Sequence, residues 1–93
     1  MGKFRVEVTE IAKIHIAQHL KSGNQSSIKR IEKILKELTE TPFEGIGNPE
    51  QLKYSLSSFW SRRINLKDRI IYSVNDTLVV VEVISAMGHY SGK

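Results

Sequence analysis

Apolar and charged residues alternate at the start of the chain. Phe4, Val6 and Val8 take every second position, and the residues between them are Lys3, Arg5 and Glu7. A period of two is typical of a strand with one buried and one exposed face. The pattern therefore predicts a half-buried strand over residues 3–8.

A first helix is predicted directly after this strand. Thr9 can act as its N-cap, because a hydroxyl there accepts a hydrogen bond from a backbone N–H that the helix leaves free. Glu10 suits the positive end of the helix dipole. The helix is expected to run to about Lys21 and to end at "SGN", where Gly23 can adopt the left-handed conformation of a helix C-terminus.

A second helix is predicted from Ser26. Its apolar residues recur at helical spacing, and basic residues occupy its other faces. We expect Pro42 to end it, because a proline restricts the residue before it, here Thr41, to extended conformations. The apolar positions are Ile28, Ile31, Ile34, Leu35 and Leu38.

A sheet is expected to occupy the second half of the chain. After the loop "TPFEGIGNP", strands are predicted at Leu52–Leu56, Phe59–Ile64 and Arg69–Val74, the last two joined as a hairpin by "NLKD". Thr77–Ser85 is nearly continuous valine, which is typical of a strand inside a sheet. The predicted fold class is α+β: one domain over residues 1–93, with two N-terminal helices on one face of a mainly antiparallel sheet of four to five strands.

Strand parity predicts a basic surface on the sheet face that the helices leave open. If the apolar residues of these strands face the helices, Lys53, Arg63 and Arg69 point the other way. Either Phe59 or Trp60 must also point outward, unless a bulge intervenes. An outward aromatic ring beside arginines can stack a nucleic-acid base, and ordinary sheet packing is the alternative.

Composition narrows the chemistry. The chain has 93 residues, a net charge of +4 and no cysteine. The absence of cysteine excludes disulfides, thiolate metal sites and cysteine nucleophiles. The charge weakly favours a polyanionic partner. With no signal-like or membrane-spanning apolar run, a cytoplasmic protein without a membrane association is expected.

Three histidines are candidates for chemistry. In "HIAQH", His15 and His19 lie one helical turn apart, but Ile16 stands where a zinc protease would need glutamate and no third ligand is evident. We interpret them as a pair of partly exposed helix residues that bind no metal. His89 follows the last strand, where a side chain can be aimed at a surface site.

The second half of the chain resembles the YoeB/Txe toxins of bacterial toxin-antitoxin systems, within the RelE-like superfamily. Four separated motifs carry the resemblance in order: "TPFEG" with "GNPEQLK", "FWSRRI", "RIIY" and a final His-Tyr pair. The likeness is strong over residues 41–90, and before that it is mainly topological. It implies the RelE-like, microbial ribonuclease-like fold.

The resemblance also implies an activity and a set of partners. Toxins of this family are ribosome-dependent endoribonucleases that cut messenger RNA in the ribosomal A site, with no metal or other cofactor. The implied partners are a cognate YefM/Axe-like antitoxin, the ribosome and its mRNA, and a second copy of the chain in a homodimer. Operator DNA would be bound only through the complex with the antitoxin.

Catalytic roles follow from the family motifs. Glu50 matches the general base, which takes the proton from a ribose 2′-hydroxyl so that it attacks the adjacent phosphate. Arg69 matches the arginine that stabilises the phosphate, and Arg63 and Lys53 match the supporting substrate-binding cations. Arg62 is left open between a positioning and a structural role, since strand parity points it away from its neighbour.

The end of the chain carries the remaining implied residues. His89 matches the general acid that protonates the departing 5′-oxygen, and Tyr90 matches a residue that holds the nucleotide in line. Cleavage by the 2′-hydroxyl would leave a 2′,3′-cyclic phosphate. One departure from the family pattern is Met87, where many relatives have a basic residue, and Gly88 adds flexibility there.

Glu82 interrupts the valine strand and raises a separate question. It either faces a groove or pairs with a cation across the sheet, and the sequence favours the pair because an unpaired buried carboxylate is costly.

Two alternative functions remain. Relatives that poison gyrase share the fold but lack the set of Glu50, Arg69, His89 and Tyr90. A non-catalytic RNA-binding or regulatory module would be supported by net charge alone.

Overall fold

The structure is a computed structural model that describes residues 3–88. Its elements are β1 (Arg5–Val8), α1 (Glu10–Ser22), α2 (Gln25–Leu38), β2 (Glu50–Gln51), a one-turn 3₁₀ helix (Tyr54–Leu56), β3 (Phe59–Arg63), β4 (Arg69–Asn75) and β5 (Val80–Ser85). The strands of this described part form one sheet in the order β1-β5-β4-β3-β2. β1 runs parallel to β5, and the other pairs are antiparallel. The predicted α+β fold is confirmed, with the valine-rich strand inside the sheet.

Both helices are capped by side chains that the sequence supplies at their starts. Thr9 accepts a hydrogen bond from the Ala12 N–H, as predicted, and Gly23 ends α1 with φ of 74°. The start of α2 differs by one residue from the prediction, because Asn24 is the cap and accepts from the Ser27 N–H. α2 ends at Leu38, three residues before Thr41, so the helix stops before Pro42 can restrict it.

The core lies between the helices and the inner face of the sheet. α2 contributes three buried apolar residues at helical spacing and the buried Ser27, whereas α1 buries only Ala12 and His19. Three large apolar residues of α1 are exposed: Ile11, Ile14 and Leu20. The buried apolar residues of the described chain are Phe4, Ala12, Ile31, Ile34, Leu38, Ile64, Ile70, Tyr72, Val81, Val83 and Ala86.

The strand predicted at Leu52–Leu56 was wrong. The strand there is only Glu50–Gln51, and the chain then turns at Tyr54, whose φ is 60° and whose side chain is 80% exposed. Local hydrogen bonds replace the ladder, because the Leu56 N–H donates to the Lys53 carbonyl at 3.1 Å. The alternation of apolar residues is therefore a property of this turn rather than of a strand.

The last strand starts later than predicted. Its first three predicted residues, 77–79, belong to a turn in which the Leu78 N–H donates to Asn75 Oδ1 at 2.9 Å. Val79 has a φ of 56°, so the extended conformation begins only at Val80. A valine-rich sequence favours strand, but the β4–β5 connection needs these residues to reverse the chain.

The β3–β4 connection is a side-chain-stabilised turn. Asn65 Oδ1 accepts from the backbone N–H groups of Lys67 and Asp68, at 2.9 and 2.8 Å. The Asp68 carboxylate in turn accepts from the Asn65 amide and from the Gly88 N–H. This carboxylate therefore links the hairpin to the segment that leaves β5.

Arg62 is fully buried, and all of its guanidinium nitrogens are hydrogen-bonded. Nη1 donates to Glu37 Oε1 of α2 at 2.7 Å and Nε donates to the Tyr72 hydroxyl at 3.2 Å. Nη2 donates to the carbonyls of Thr41 and Glu44 at 2.6 and 2.8 Å. Arg62 thus joins α2, the following loop and two strands, which assigns it a structural role.

The neighbours of Arg62 complete this network. The Tyr72 hydroxyl donates to the Pro42 carbonyl at 2.7 Å, and the Ile46 N–H donates to Glu37 Oε1 at 2.9 Å. Burial raises the pKa of Tyr72, while Arg62 opposes the rise only in part, so the phenol keeps the proton it donates. Gly45 has φ of 134°, and a Cβ there would overlap the Glu37 carboxylate. The loop is therefore closely fitted around the Arg62–Glu37 pair.

We predict that Arg62→Met lowers the free energy of unfolding by about 3–5 kcal/mol, because it leaves the Glu37 carboxylate and the loop carbonyls without their donor. Urea unfolding measures the change. Arg63→Met is the matched control, since Arg63 is exposed and an exposed substitution changes stability by about 0.5 kcal/mol or less. Equal losses in the two variants would contradict the structural role of Arg62.

We predict that Asp68 makes stability depend on acid pH. Burial by itself raises the pKa of Asp68. Hydrogen bonds from Gly88 and Asn65 and the charges of His19 and Lys67 together lower it by more than burial raises it, so the pKa lies below its ordinary value. The ionised carboxylate therefore stabilises the fold above the unfolded pKa of about 3.9, and this contribution is lost as pH falls through the folded pKa.

Asp68→Asn should accordingly cost about 1.5–3 kcal/mol at pH 7, the usual range for a hydrogen bond to a charged group, and less near pH 3. Urea unfolding of the parent and the variant at both pH values measures this difference. Asp76→Asn, at an exposed turn position, is the control and should show no such dependence. A difference that stayed constant with pH would contradict the prediction.

Candidate functional site

The open face of the sheet brings two predicted arginines together. Arg63 of β3 lies opposite Arg69 of β4 in the register, so both project to the same face. Arg62 lies opposite Ile70 on the inner face. The predicted parity is confirmed for these strands, and two like charges lie side by side on this face of the sheet. Such a pair is unfavourable by itself and favours an anionic partner.

Glu50 lies beside these cations. β2 places Glu50 opposite Ser61 of β3, the residue two before Arg63 and therefore on the same face. Glu50 Oε1 is 3.6 Å from Arg69 Nη1, and the same nitrogen lies 3.5 Å from Ser61 Oγ. The Glu50 side chain is 58% exposed and that of Arg69 is 17% exposed. The solvent-exposed carboxylate of Glu50 thus lies next to the mostly buried guanidinium of Arg69.

This pair has complementary chemistry. An ionised carboxylate only accepts hydrogen bonds, so it can take a proton from a hydroxyl. A guanidinium offers parallel donors that match the oxygens of a phosphate. At 3.6 Å the ion pair is looser than a tight charge-assisted hydrogen bond, which leaves both groups available to a substrate.

Lys53 is exposed and lies in the turn that follows β2, immediately before the 3₁₀ helix. It is three residues from Glu50 in sequence, but it was predicted on a strand that the structure replaces with a turn. Its placement beside the arginines through strand parity was therefore wrong, although it remains on the segment next to Glu50. The structure brings together Glu50, Arg63 and Arg69, and Lys53 lies on the turn that follows β2.

His89 and Tyr90 lie outside the described residues. The described chain ends at Gly88, whose carbonyl accepts a hydrogen bond from the Arg69 N–H at 3.1 Å. The residue just before His89 is thus bonded to the backbone of a residue whose side chain belongs to the charged cluster.

An apolar pocket of about 210 Å³ opens on the same face of the sheet. A register shift in the β4–β5 pairing, near Ile71, lets the chain of β5 turn consecutive residues toward the pocket. The sequence reasoning missed this pocket, and its signal was the spacing of apolar residues in "LKYSLSSF". The pocket is lined by Leu52, Leu56, Phe59, Ile71, Ile84 and Ser85.

The two aromatic residues of "FWSRR" separate as parity predicted. Phe59 contributes to the pocket on the open face. Trp60 packs against the core, and its ring centroid lies 5.1 Å from that of Phe43. An aromatic ring is therefore available on the face that carries the arginines.

The prediction of a partly exposed histidine pair was wrong for His19. His19 is 5% exposed and its Nε2 lies 2.8 Å from the Ala86 carbonyl, while His15 Nδ1 lies 3.1 Å from the Ala86 N–H. Helical spacing showed that the two rings share a face, but not that this face meets the end of β5. Among residues 3–88, no group of three His, Asp or Glu side chains could hold a metal ion.

Glu82 also differs from its prediction. It is exposed, and it lies opposite Glu7 on one neighbouring strand and Ser73 on the other. The predicted cation across the sheet was therefore wrong. The carboxylate stays in water, so it needs no buried partner.

Met87 is half-buried and lines a second cavity, of about 280 Å³, between α1 and the β3–β4 turn. Within the described residues, no helix is long and apolar enough to cross a membrane.

Comparisons with known proteins agree on one family. The family described as "YoeB-like toxin of bacterial type II toxin-antitoxin system" matches residues 14–90. Toxin YoeB of Escherichia coli O6:H1 is 48% identical over 54 residues, which is 58% of this chain and 64% of that protein. The alignment thus spans less than two thirds of that relative's length.

Solved structures extend the likeness over nearly the whole chain. The YoeB dimer from Staphylococcus aureus superposes with a TM-score of 0.77 at 28% identity, covering 95% of this chain and 99% of that one. A YoeB-YefM toxin-antitoxin complex from the same organism, described as heterotetrameric, contains a chain with a TM-score of 0.74 at 30% identity, covering 94% and 98%. The family match, the relative and the fold support one conclusion: this chain belongs to the YoeB-like toxins of bacterial type II toxin-antitoxin systems.

Proposed function

We propose that this protein is a ribosome-dependent endoribonuclease that cleaves messenger RNA in the A site, with no metal, and thereby stops translation. The observation that carries the proposal is the Glu50 carboxylate 3.6 Å from the Arg69 guanidinium on an exposed sheet face, in a chain of this toxin family. An acceptor for a hydroxyl proton and a donor for phosphate oxygens are the two groups that 2′-hydroxyl attack needs first.

In the proposed mechanism Glu50 is the general base. It removes the proton of the ribose 2′-hydroxyl, and the resulting oxygen attacks the adjacent phosphorus. Its exposure lets an RNA strand approach, while β2 pairing with β3 keeps its backbone in place. The bond to the 5′-oxygen of the next nucleotide breaks, and a 2′,3′-cyclic phosphate is left.

Arg69 stabilises the negative charge that builds on the phosphate oxygens. Its side chain is mostly buried and rests against Ser61, so little reorganisation is needed when the charge develops. Arg63, opposite it in the register, and Lys53, on the turn after β2, bind the flanking phosphates. The cations serve binding as well as catalysis, so binding is expected to weaken with salt.

His89 is the general acid in this proposal, giving its proton to the departing 5′-oxygen, and Tyr90 holds the nucleotide in line. Support comes from the hydrogen bond between the Gly88 carbonyl and the Arg69 N–H, which ties the residue before His89 to the phosphate-binding strand. The dependence on the ribosome has a physical reason, since a flexible RNA strand must be held in line before these groups can act.

We further propose a YefM/Axe-like antitoxin as partner, a homodimer of the toxin, and binding of operator DNA only through the antitoxin complex. The support is the YoeB-YefM complex and the YoeB dimer of the S. aureus relatives. The exposed apolar residues Ile11, Ile14 and Leu20 on α1 offer a surface of the kind that protein partners cover. Since the proposed substrate is messenger RNA on the ribosome, the proposed location of the activity is the cytoplasm.

We predict that Glu50→Gln lowers the rate of mRNA cleavage by about 10²–10⁴-fold, because the amide cannot accept the 2′-hydroxyl proton. Primer-extension mapping of a defined mRNA in a translating extract measures the cuts. Glu82→Gln is the matched control, since it neutralises an exposed carboxylate elsewhere on the sheet. Parent and control should give codon-phased cuts that appear only with ribosomes.

The same experiment can contradict the proposal. A folded parent protein that makes no ribosome-dependent cuts would overturn the nuclease, and a gyrase supercoiling assay would then test the gyrase alternative. Cuts that persist in Glu50→Gln at the parent rate would remove Glu50 as the base. Translation inhibited without any cut would favour a binding module.

We predict that Arg69→Lys lowers the single-turnover cleavage rate by about 10²-fold, the usual cost of losing one donor to a developing charge. The lysine keeps the positive charge but offers no parallel donors. The rate is measured on ribosomes programmed with a short mRNA, with ribosome binding measured separately. Arg5→Lys, exposed on β1, is the control. A variant as fast as the parent would show that charge alone suffices.

A further inference from the structure

The three residues that lead from β5 to His89 are anchored through Ala86 and Gly88. β5 ends at Ser85, so Ala86 and Gly88 lie beyond the ladder of the sheet. Both backbone groups of Ala86 and both backbone groups of Gly88 nevertheless have hydrogen-bond partners. A segment that leaves a sheet is normally free to move, and this one is fixed at two points.

The first attachment of this segment is to α1. The Ala86 N–H donates to His15 Nδ1 at 3.1 Å, and His19 Nε2 donates to the Ala86 carbonyl at 2.8 Å. The two histidines are four residues apart, so both rings project from one face of the helix. A single turn of α1 thus binds both the N–H and the carbonyl of Ala86.

The chemistry of these bonds defines the proton on each ring. His15 accepts from an N–H, so its Nδ1 carries no proton, and His19 donates to a carbonyl, so its Nε2 carries one. An apolar side chain could fill the space that buried His19 occupies, but it would leave the buried Ala86 carbonyl without a donor. The two histidines therefore serve hydrogen bonding to Ala86 rather than packing.

The second attachment of this segment is to the start of β4. The Gly88 N–H donates to Asp68 Oδ1 at 2.9 Å, and the Gly88 carbonyl accepts from the Arg69 N–H at 3.1 Å. Gly88 has a φ of 90°, a conformation that glycine adopts readily. Asp68 and His19 also line one cavity with Met87, so the two points lie on either side of the same short segment.

We propose that His15 and His19 are positioning residues for His89: they hold Ala86 so that the next residues deliver the general acid to the scissile phosphate at Arg69. This inference rests on the proposed function. The proton donor must come within hydrogen-bond reach of the departing oxygen, and a misplacement of about 1 Å can cost about 10²-fold in rate. His89 follows Ala86 by three positions in the sequence, and the backbone that leads to it is hydrogen-bonded at Ala86 and at Gly88.

The first test compares His15→Leu and His19→Leu, which remove the hydrogen bonds, with His15→Gln and His19→Gln, whose amides can accept or donate. Single-turnover cleavage on programmed ribosomes should fall about tenfold in the leucine variants, with KM unchanged, within the roughly 10²-fold that misplacement can cost. The glutamine variants should recover part of the rate. Gln18→Leu, an exposed residue of the same helix, is the control and should match the parent.

The second test asks whether the effect passes through His89. In a His89→Gln background, His19→Leu should cause no further loss, because residues that act as a unit are not additive. Thermal unfolding of every variant accompanies the rates. Should His19→Leu unfold, half-buried His15 permits the same cycle with His15→Leu.

The outcomes separate the inference from the function on which it rests. Equal fractional losses in the parent and His89→Gln backgrounds, or leucine variants as fast as the parent, would overturn the positioning role while leaving the nuclease intact. Full cleavage by His89→Gln alone would instead remove His89 as the acid, and the inference would fail with that part of the proposed function.

Discussion

The buried guanidinium of Arg62 is the interaction on which the rest of the structure depends. A charge inside a small domain is tolerated only when it is paired and its donors are satisfied, and here a carboxylate, a phenol and loop carbonyls do this together. These partners come from α2, β4 and the loop after α2. One side chain therefore connects the helix layer to the sheet and to the loop that leads to Glu50.

The two neighbouring arginines of β3 have different roles, because successive side chains of a strand face opposite sides of the sheet. Arg62 organises the interior, and Arg63 meets Arg69 on the open face. The Arg63 N–H also donates to the Gly47 carbonyl at 2.6 Å, so the loop shaped around Arg62 is attached to the strand that bears the exposed cation. The charged cluster thus lies on a backbone that is hydrogen-bonded to the loop around Arg62.

Much of the fold could be predicted from sequence because its elements are specified locally. The alternation around Val6, the cap at Thr9 and the left-handed Gly23 depend on neighbours within one turn, and the structure agrees with each of them. Parity likewise placed Arg63 and Arg69 on one face. The elements that were wrong are the turn at Tyr54 and the late start of β5, where local propensity favours strand but the chain must reverse direction to complete the sheet.

The candidate site was predictable in its residue types and not in its supports. The sequence by itself determined that Arg63 and Arg69 share the open face, because side-chain alternation along a strand is a local rule, whereas Glu50 was assigned by the resemblance to the family motifs. Only the tertiary structure decided that Arg62 is bonded to Glu37 and to the loop carbonyls, that Glu82 remains in water and that His15 and His19 bind Ala86. These facts depend on which segments meet in space. His19 and Ala86 are separated by 67 positions in the sequence, and His15 and Ala86 by 71, so they become partners only when α1 packs against the end of β5.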